Sequence, residues 1–90
     1  MIIMSNLKIK SFKTTYSSSE LTIIAITCET QESNNYYIEY YADSKSVCLN
    51  YYKKNGVLIK HNEHNKHPND LKIIDELRYR VIAIYALLEC

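Results

Sequence analysis

The 90-residue chain contains no tryptophan, and only one glycine, one proline and one phenylalanine. A single glycine, Gly56, leaves no glycine-rich loop to bring backbone N–H groups around a phosphate, which excludes P-loop and dinucleotide-binding sites. Charge of one sign is also missing. Lysine and arginine total 11 against 10 acidic residues, so binding that rests on bulk positive charge is excluded. Cys28, Cys48 and Cys90 are too widely and irregularly spaced for a disulfide framework or a zinc site, and read as reduced thiols of a cytoplasmic protein. The longest apolar run, Val81 to Leu88, spans eight residues, well short of the ~20 needed to cross a bilayer. The start, Met1-Ile2-Ile3-Met4, lacks the basic region and long apolar stretch of a signal peptide. The expectation is one domain over residues 1–90, without a cofactor or a membrane partner.

What is plentiful is Ile, Lys, Asn and Tyr, which together supply 38 of the 90 residues. All four have A/T-rich codons, which points to a low-GC genome such as that of a Gram-positive bacterium, a virus or a phage. The first two thirds read as strands. Leu7 and Ile9 alternate with Lys8 and Lys10; Leu21 to Cys28 is β-branched and apolar on both faces; Tyr36–Ala42 and Ser46–Tyr52 follow around a short turn at Asp43-Ser44. Asn55-Gly56 suits a type I′ hairpin turn between residues 51–54 and 57–60. Strands are thus expected within residues 3–61 and a polar loop over 61–68. Residues 69–89 follow as a helix, with Asn69 or Asp70 as N-cap and Leu71, Ile74, Leu77, Val81, Ile84 and Leu88 along its apolar side. Glu76 and Arg80 can pair on another side of that helix. The fold class is α+β: an antiparallel meander of four to five strands with one C-terminal helix packed on one face.

A two-residue turn at Asp43-Ser44 sets Tyr36 opposite Tyr51, Ile38 opposite Leu49 and Tyr40 opposite Val47, a coherent core face. The Asn55-Gly56 hairpin then puts Ile59 and Val57 outside with Tyr52. A β-bulge near Tyr51-Tyr52 would return Ile59 to the core; otherwise both faces are partly apolar and the outer one meets a partner. The helix carries a similar surplus. It is apolar all round from Val81 to Leu88, which makes Ile82, Tyr85 and Ala86 candidates for a homodimer contact.

Candidates for chemistry are sparse. His61, His64 and His67 invite a metal reading, but they sit in an Asn-rich segment ending at Pro68, so they read as a solvated connector and no metal is assigned. No motif sets a nucleophile beside a base, so no enzyme is expected. Cys28 reads as an inert core thiol, and Cys48 as an outward one opposite Glu39. The tyrosines are more telling. Six of the nine form the doublets Tyr36-Tyr37, Tyr40-Tyr41 and Tyr51-Tyr52, and adjacent strand residues point to opposite faces. Tyr37, Tyr41 and Tyr52 are therefore expected on one outer face. Tyrosine is a good strand former in any case, but it also supplies rigid contact area at binding surfaces.

Between Lys13 and Lys45 there is no basic residue, while Glu20, Glu29, Glu32, Glu39 and Asp43 are all acidic. An acidic, tyrosine-rich face, formed by Tyr37, Glu39, Tyr41, Asp43, Glu29, Glu32 and Tyr52, would complement a basic groove. The expected function is that of a small non-enzymatic protein-binding module. Its partner would be a host protein, with the chain a phage or mobile-element inhibitor of a host defence nucleic-acid enzyme in the manner of an anti-CRISPR protein. The alternative is a single-stranded RNA or DNA binder using Lys8, Lys10, Lys53, Lys54 and Lys60 beside stacking rings. A metal-dependent or thiol enzyme comes third.

Overall fold

The computed structural model describes residues 7–43, 46–59 and 68–89, with side chains through Ile84. It shows an α+β fold: strands β1 (Leu7–Ser17), β2 (Thr22–Thr30), β3 (Asn35–Ala42), β4 (Val47–Lys54) and β5 (Val57–Ile59), then helix α1 (Pro68–Glu89). The five strands form one antiparallel sheet in chain order, β1-β2-β3-β4-β5. Among the described residues, α1 lies across β3 and β4 on one face of the sheet. Among the described residues no helix is long and apolar enough to cross a membrane.

The turns follow from local chemistry. Asn55 and Gly56 both take positive φ, 52° and 84°, as a type I′ turn requires. A Cβ on Gly56 would meet nothing within 4 Å, so only backbone conformation demands glycine there. The β3–β4 connection is longer than the two residues expected. The Asp43 N–H donates to the Ser46 carbonyl at 3.0 Å, and the Asp43 carboxylate accepts from the Ser46 N–H at 2.9 Å. This sets Ala42 opposite Val47 and Tyr40 opposite Leu49.

The bulge falls one residue earlier than expected. Glu39 pairs with Tyr51 but Tyr40 pairs with Leu49, so Asn50 is the extra residue. Beyond it Ile38 faces Tyr52 and Tyr36 faces Lys54, rather than Leu49 and Tyr51. The insertion exchanges the two rings of the last doublet. Tyr52 is fully buried against the helix layer, whereas Tyr51 belongs to the outer face. The hairpin places Ile59 opposite Tyr52, and Ile59 is buried with it.

The core comprises Ile24, Ile26, Cys28, Ile38 and Val47 from the sheet with Ile74, Leu77 and Val81 from α1, and the phenol rings of Tyr36, Tyr40 and Tyr52 lie among them. Their hydroxyls need partners inside. Asp70, in the first turn of α1 and 1% exposed, accepts from Tyr36 at 2.6 Å and from Tyr52 at 2.9 Å, and pairs with Lys54 at 3.4 Å. Tyr40 donates to the Ile74 carbonyl. Asp70 is thus no solvent-facing N-cap; the helix already includes Pro68, and this carboxylate fastens it to the sheet. Further along, Arg78 donates to the Val47 carbonyl at 3.2 Å. Arg78 also approaches Asp75, while the expected Glu76–Arg80 ion pair does not form. Ile84, expected on the apolar side, is 41% exposed.

Truncation of Asp70 to alanine leaves two buried hydroxyls and Lys54 without their acceptor, and is expected to cost about 3 kcal/mol by urea denaturation. Tyr52→Phe should cost less, and the double variant should be less destabilised than the sum of the two. High pH acts on the same core. Burial raises the Cys28 thiol from 9.0 to about 11 and, with Asp70 next in importance, holds Tyr36 and Tyr52 above their ordinary 10.0. The unfolded chain therefore loses these protons first. Their contribution to stability is complete below about pH 9 and declines as the pH rises above it, which the urea midpoint measured from pH 8 to 11 will show.

Candidate functional site

Register alone defines the sheet face away from α1. One row across it reads Tyr16, Ile23, Tyr41, Cys48; the next reads Lys13, Ala25, Glu39, Tyr51; the third reads Ser11, Thr27, Tyr37, Lys53, Leu58. Among the described residues no helix or strand covers this face. Tyr16, Tyr41 and Leu58 are 52%, 39% and 50% exposed, and Tyr37, Glu39 and Tyr51 are half-buried. Such a run of rings and aliphatic side chains on an open sheet face makes it a candidate contact surface.

At its centre stands Glu39. Its Oε2 accepts from the Tyr37 hydroxyl at 2.5 Å and from the Tyr51 hydroxyl at 3.0 Å, and its Oε1 accepts from the Asn50 amide at 3.2 Å. The bulge makes this possible, because it presents Asn50 and Tyr51 together to the same side of β4. The two rings lie with centroids 6.1 Å apart and planes tilted 45°. The hydrogen bond to Glu39, then burial, raises the Tyr37 phenol well above its ordinary range. Burial and then Glu39 also raise the Tyr51 phenol. Both hydroxyls remain protonated donors, and these contacts hold the two rings in one orientation.

The expected contact residues are divided by the structure. Tyr37, Glu39 and Tyr41 share the outer face, but Tyr52 is in the core and Tyr51 stands in the place assigned to it. The acids do not merge into one patch. Glu29 is paired with Lys10 at 3.1 Å. Asp43 is engaged with Ser46 at the β3–β4 turn, and Glu32 lies in the β2–β3 turn at the opposite end of β3. The lysines divide as well. Lys8, Lys10 and Lys53 belong to the outer face with Lys13, whereas Lys54 bonds Asp70 and lies 5.9 Å from the Tyr36 ring centroid on the helix side. Ile82 packs partly against the core, which reduces its claim as a dimer contact. Lys60, His61, His64 and His67 lie outside the described residues, as do the side chains of Tyr85 and Ala86.

Among the described residues no group of three or more His, Cys, Asp or Glu side chains could hold a metal ion. Cys28 is buried in the core, and Cys48 is exposed opposite Tyr41 rather than Glu39. The chain matches no protein-family model, no curated protein and no solved structure.

The two described thiols should differ sharply toward alkylation. With its pKa pushed up to about 11 by burial, Cys28 has about a hundredfold less thiolate at pH 8 than an ordinary thiol, besides being inaccessible. Iodoacetamide treatment of the folded protein followed by peptide mass mapping should label Cys48 and spare Cys28 until denaturant is added.

Proposed function

We propose that this chain is a non-enzymatic binding module that recognises another protein through the outer face of its sheet. The observation that carries this reading is the face itself: Tyr16, Tyr41, Tyr37, Tyr51 and Leu58 on one surface that no helix or strand covers among the described residues, with two of the rings pre-oriented by Glu39. Tyrosines immobilised before binding lose little entropy when a partner arrives, so their contact area converts efficiently into affinity. The abundance of Ile, Lys, Asn and Tyr favours a phage or mobile-element origin, and the fitting role is occlusion of a host defence nucleic-acid enzyme, as anti-CRISPR proteins do. The contact area on this face comes from tyrosines, with Glu39 among them and the other acids at its margins.

A second reading has its own observation. Lys8, Lys10, Lys13 and Lys53 share the face with the rings, against Glu29 and Glu39. A basic, aromatic sheet is also how single-stranded nucleic acid is held. Glu39, at the centre of the rings, disfavours a phosphate backbone there and places this reading second.

The two are separated by capture from a lysate of the source cell, with and without nuclease, on the parent protein and on a Tyr16→Ala/Tyr41→Ala double variant. Both substituted rings are exposed, so the variant should keep its fold. The expected result is one stoichiometric, nuclease-resistant protein retained by the parent and lost from the variant. Retention unchanged in the folded variant rejects the face, and capture that vanishes with nuclease, with salt-sensitive oligonucleotide binding lost on Lys53→Glu, selects the second reading.

A further inference from the structure

The chemistry around Glu39 specifies what a partner must bring to it. A carboxylate offers about four acceptor positions. Three of Glu39's are filled by neutral donors, the phenols of Tyr37 and Tyr51 and the amide of Asn50. Neutral donors orient a charge without cancelling it. The ion pairs among the described residues are Lys10–Glu29, Lys54–Asp70 and Arg78–Asp75, so Glu39 has no cation of its own. Lys53, opposite Tyr37, and Lys13, in the same row as Glu39, both lie on this face, yet neither pairs with it. The result is a half-buried negative charge at the centre of the contact face, flanked by two aromatic rings whose π faces also favour a cation.

We propose that Tyr37, Glu39 and Tyr51, with Asn50, form a receptor for the guanidinium of an arginine side chain on the protein partner. This rests on the protein-binding reading above and names the group that the face selects. Guanidinium suits the site better than ammonium for two reasons. It is planar and more weakly hydrated, so it can lie against a phenol ring while an N–H reaches the remaining acceptor position of Glu39. It also stays charged in every environment the site can offer. A phosphate or a partner carboxylate would meet Glu39 with like charge and is rejected. The lysines of β1 lie two strands away from β3, roughly 10 Å, a separation at which physiological salt screens most of their repulsion. Lys53, on the adjacent β4 opposite Tyr37, is the nearer cation but does not come within ion-pair distance of Glu39.

The test uses small probes on the intact 15N-labelled protein: N-acetyl-arginine amide, N-acetyl-lysine amide and N-acetyl-citrulline amide, the last a neutral isostere of the first. The arginine probe should produce saturable chemical-shift changes centred on the amides of Tyr37, Glu39 and Tyr51. Citrulline should bind at least about tenfold more weakly, and lysine should fall between them. Glu39→Gln keeps the side chain's size and an acceptor oxygen but removes the charge, and should abolish the preference for arginine over citrulline. An equal response to both probes, no saturable response to arginine, or a preference retained in Glu39→Gln would each overturn the proposal. The probe comparison on the parent protein needs no variant, so a misfolded Glu39→Gln would not shield it. A tyrosine-dependent protein partner retained equally by the parent and by Glu39→Gln would sink the arginine site while leaving the binding module standing. A positive arginine response with no captured protein would do the reverse.

Discussion

One inserted residue organises both faces of this sheet. In an unbroken β4 the alternation that puts Cys48 outside and Leu49 inside would carry Tyr51 into the core and Tyr52 out of it. Asn50 interrupts the count, and from that point the strand presents its other side. Two consequences follow on opposite surfaces. Inward, Tyr52 enters beside Tyr36, their rings stacked at 6.3 Å, and both hydroxyls reach Asp70. Outward, Asn50 and Tyr51 arrive together at Glu39. The anchor of the helix and the centre of the contact face therefore share a cause, and neither survives a register in which β4 runs without its bulge.

Asp70 completes the inward half. A carboxylate in the first turn of a helix has the favourable end of the backbone dipoles beside it. It also collects two phenols and Lys54, so its burial is compensated from three directions. The arrangement is specific as well as stabilising, because two hydroxyls from neighbouring strands and one amine can converge on a single helical carboxylate in few ways. It sets where α1 begins on the sheet, and the contact of Arg78 with the Val47 carbonyl fixes its direction farther along.

The architecture was legible in the sequence because its signals are local. Alternation marks the strands, Asn55-Gly56 marks the hairpin, and the spacing of Ile74, Leu77 and Val81 marks the buried side of α1. Tyr37, Glu39 and Tyr41 were assigned to one face by the same period-two count. What failed depended on pairings between distant residues. The carboxylate of Asp43 folds back on Ser46 and lengthens a turn that looks two residues long, and the placement of the bulge follows from how β4 meets β3 rather than from its own composition. Tyr51 and Tyr52 were consequently exchanged. Asp70 was legible as a helix-start residue, but nothing near it in the chain signals that Tyr36, Tyr52 and Lys54 will converge there. The acidic stretch misled for a related reason: residues adjacent in charge along the chain were dealt to different turns, to an ion pair and to the tyrosine cluster.

The sheet edges agree with the proposed recognition through the face. β1 is an edge strand of 11 residues, long enough to template another strand, yet its pairing with β2 is broken between Ile9 and Ser11 and again between Thr14 and Tyr16. Lys8, Lys10 and Lys13 lie along the same strand. Bulges and lysines are the ordinary means by which an edge is protected from unwanted strand addition. At the other side β5 has only three residues to offer. Tyr16, Tyr41 and Leu58 stand exposed on the outer face, while Phe12 and Val57 on the helix side of the sheet and Tyr79 and Ile84 on α1 are exposed as well. Backbone pairing would accept almost any extended partner. A face of oriented tyrosines around one uncompensated carboxylate would instead discriminate by shape and by charge, as the proposed binding role requires.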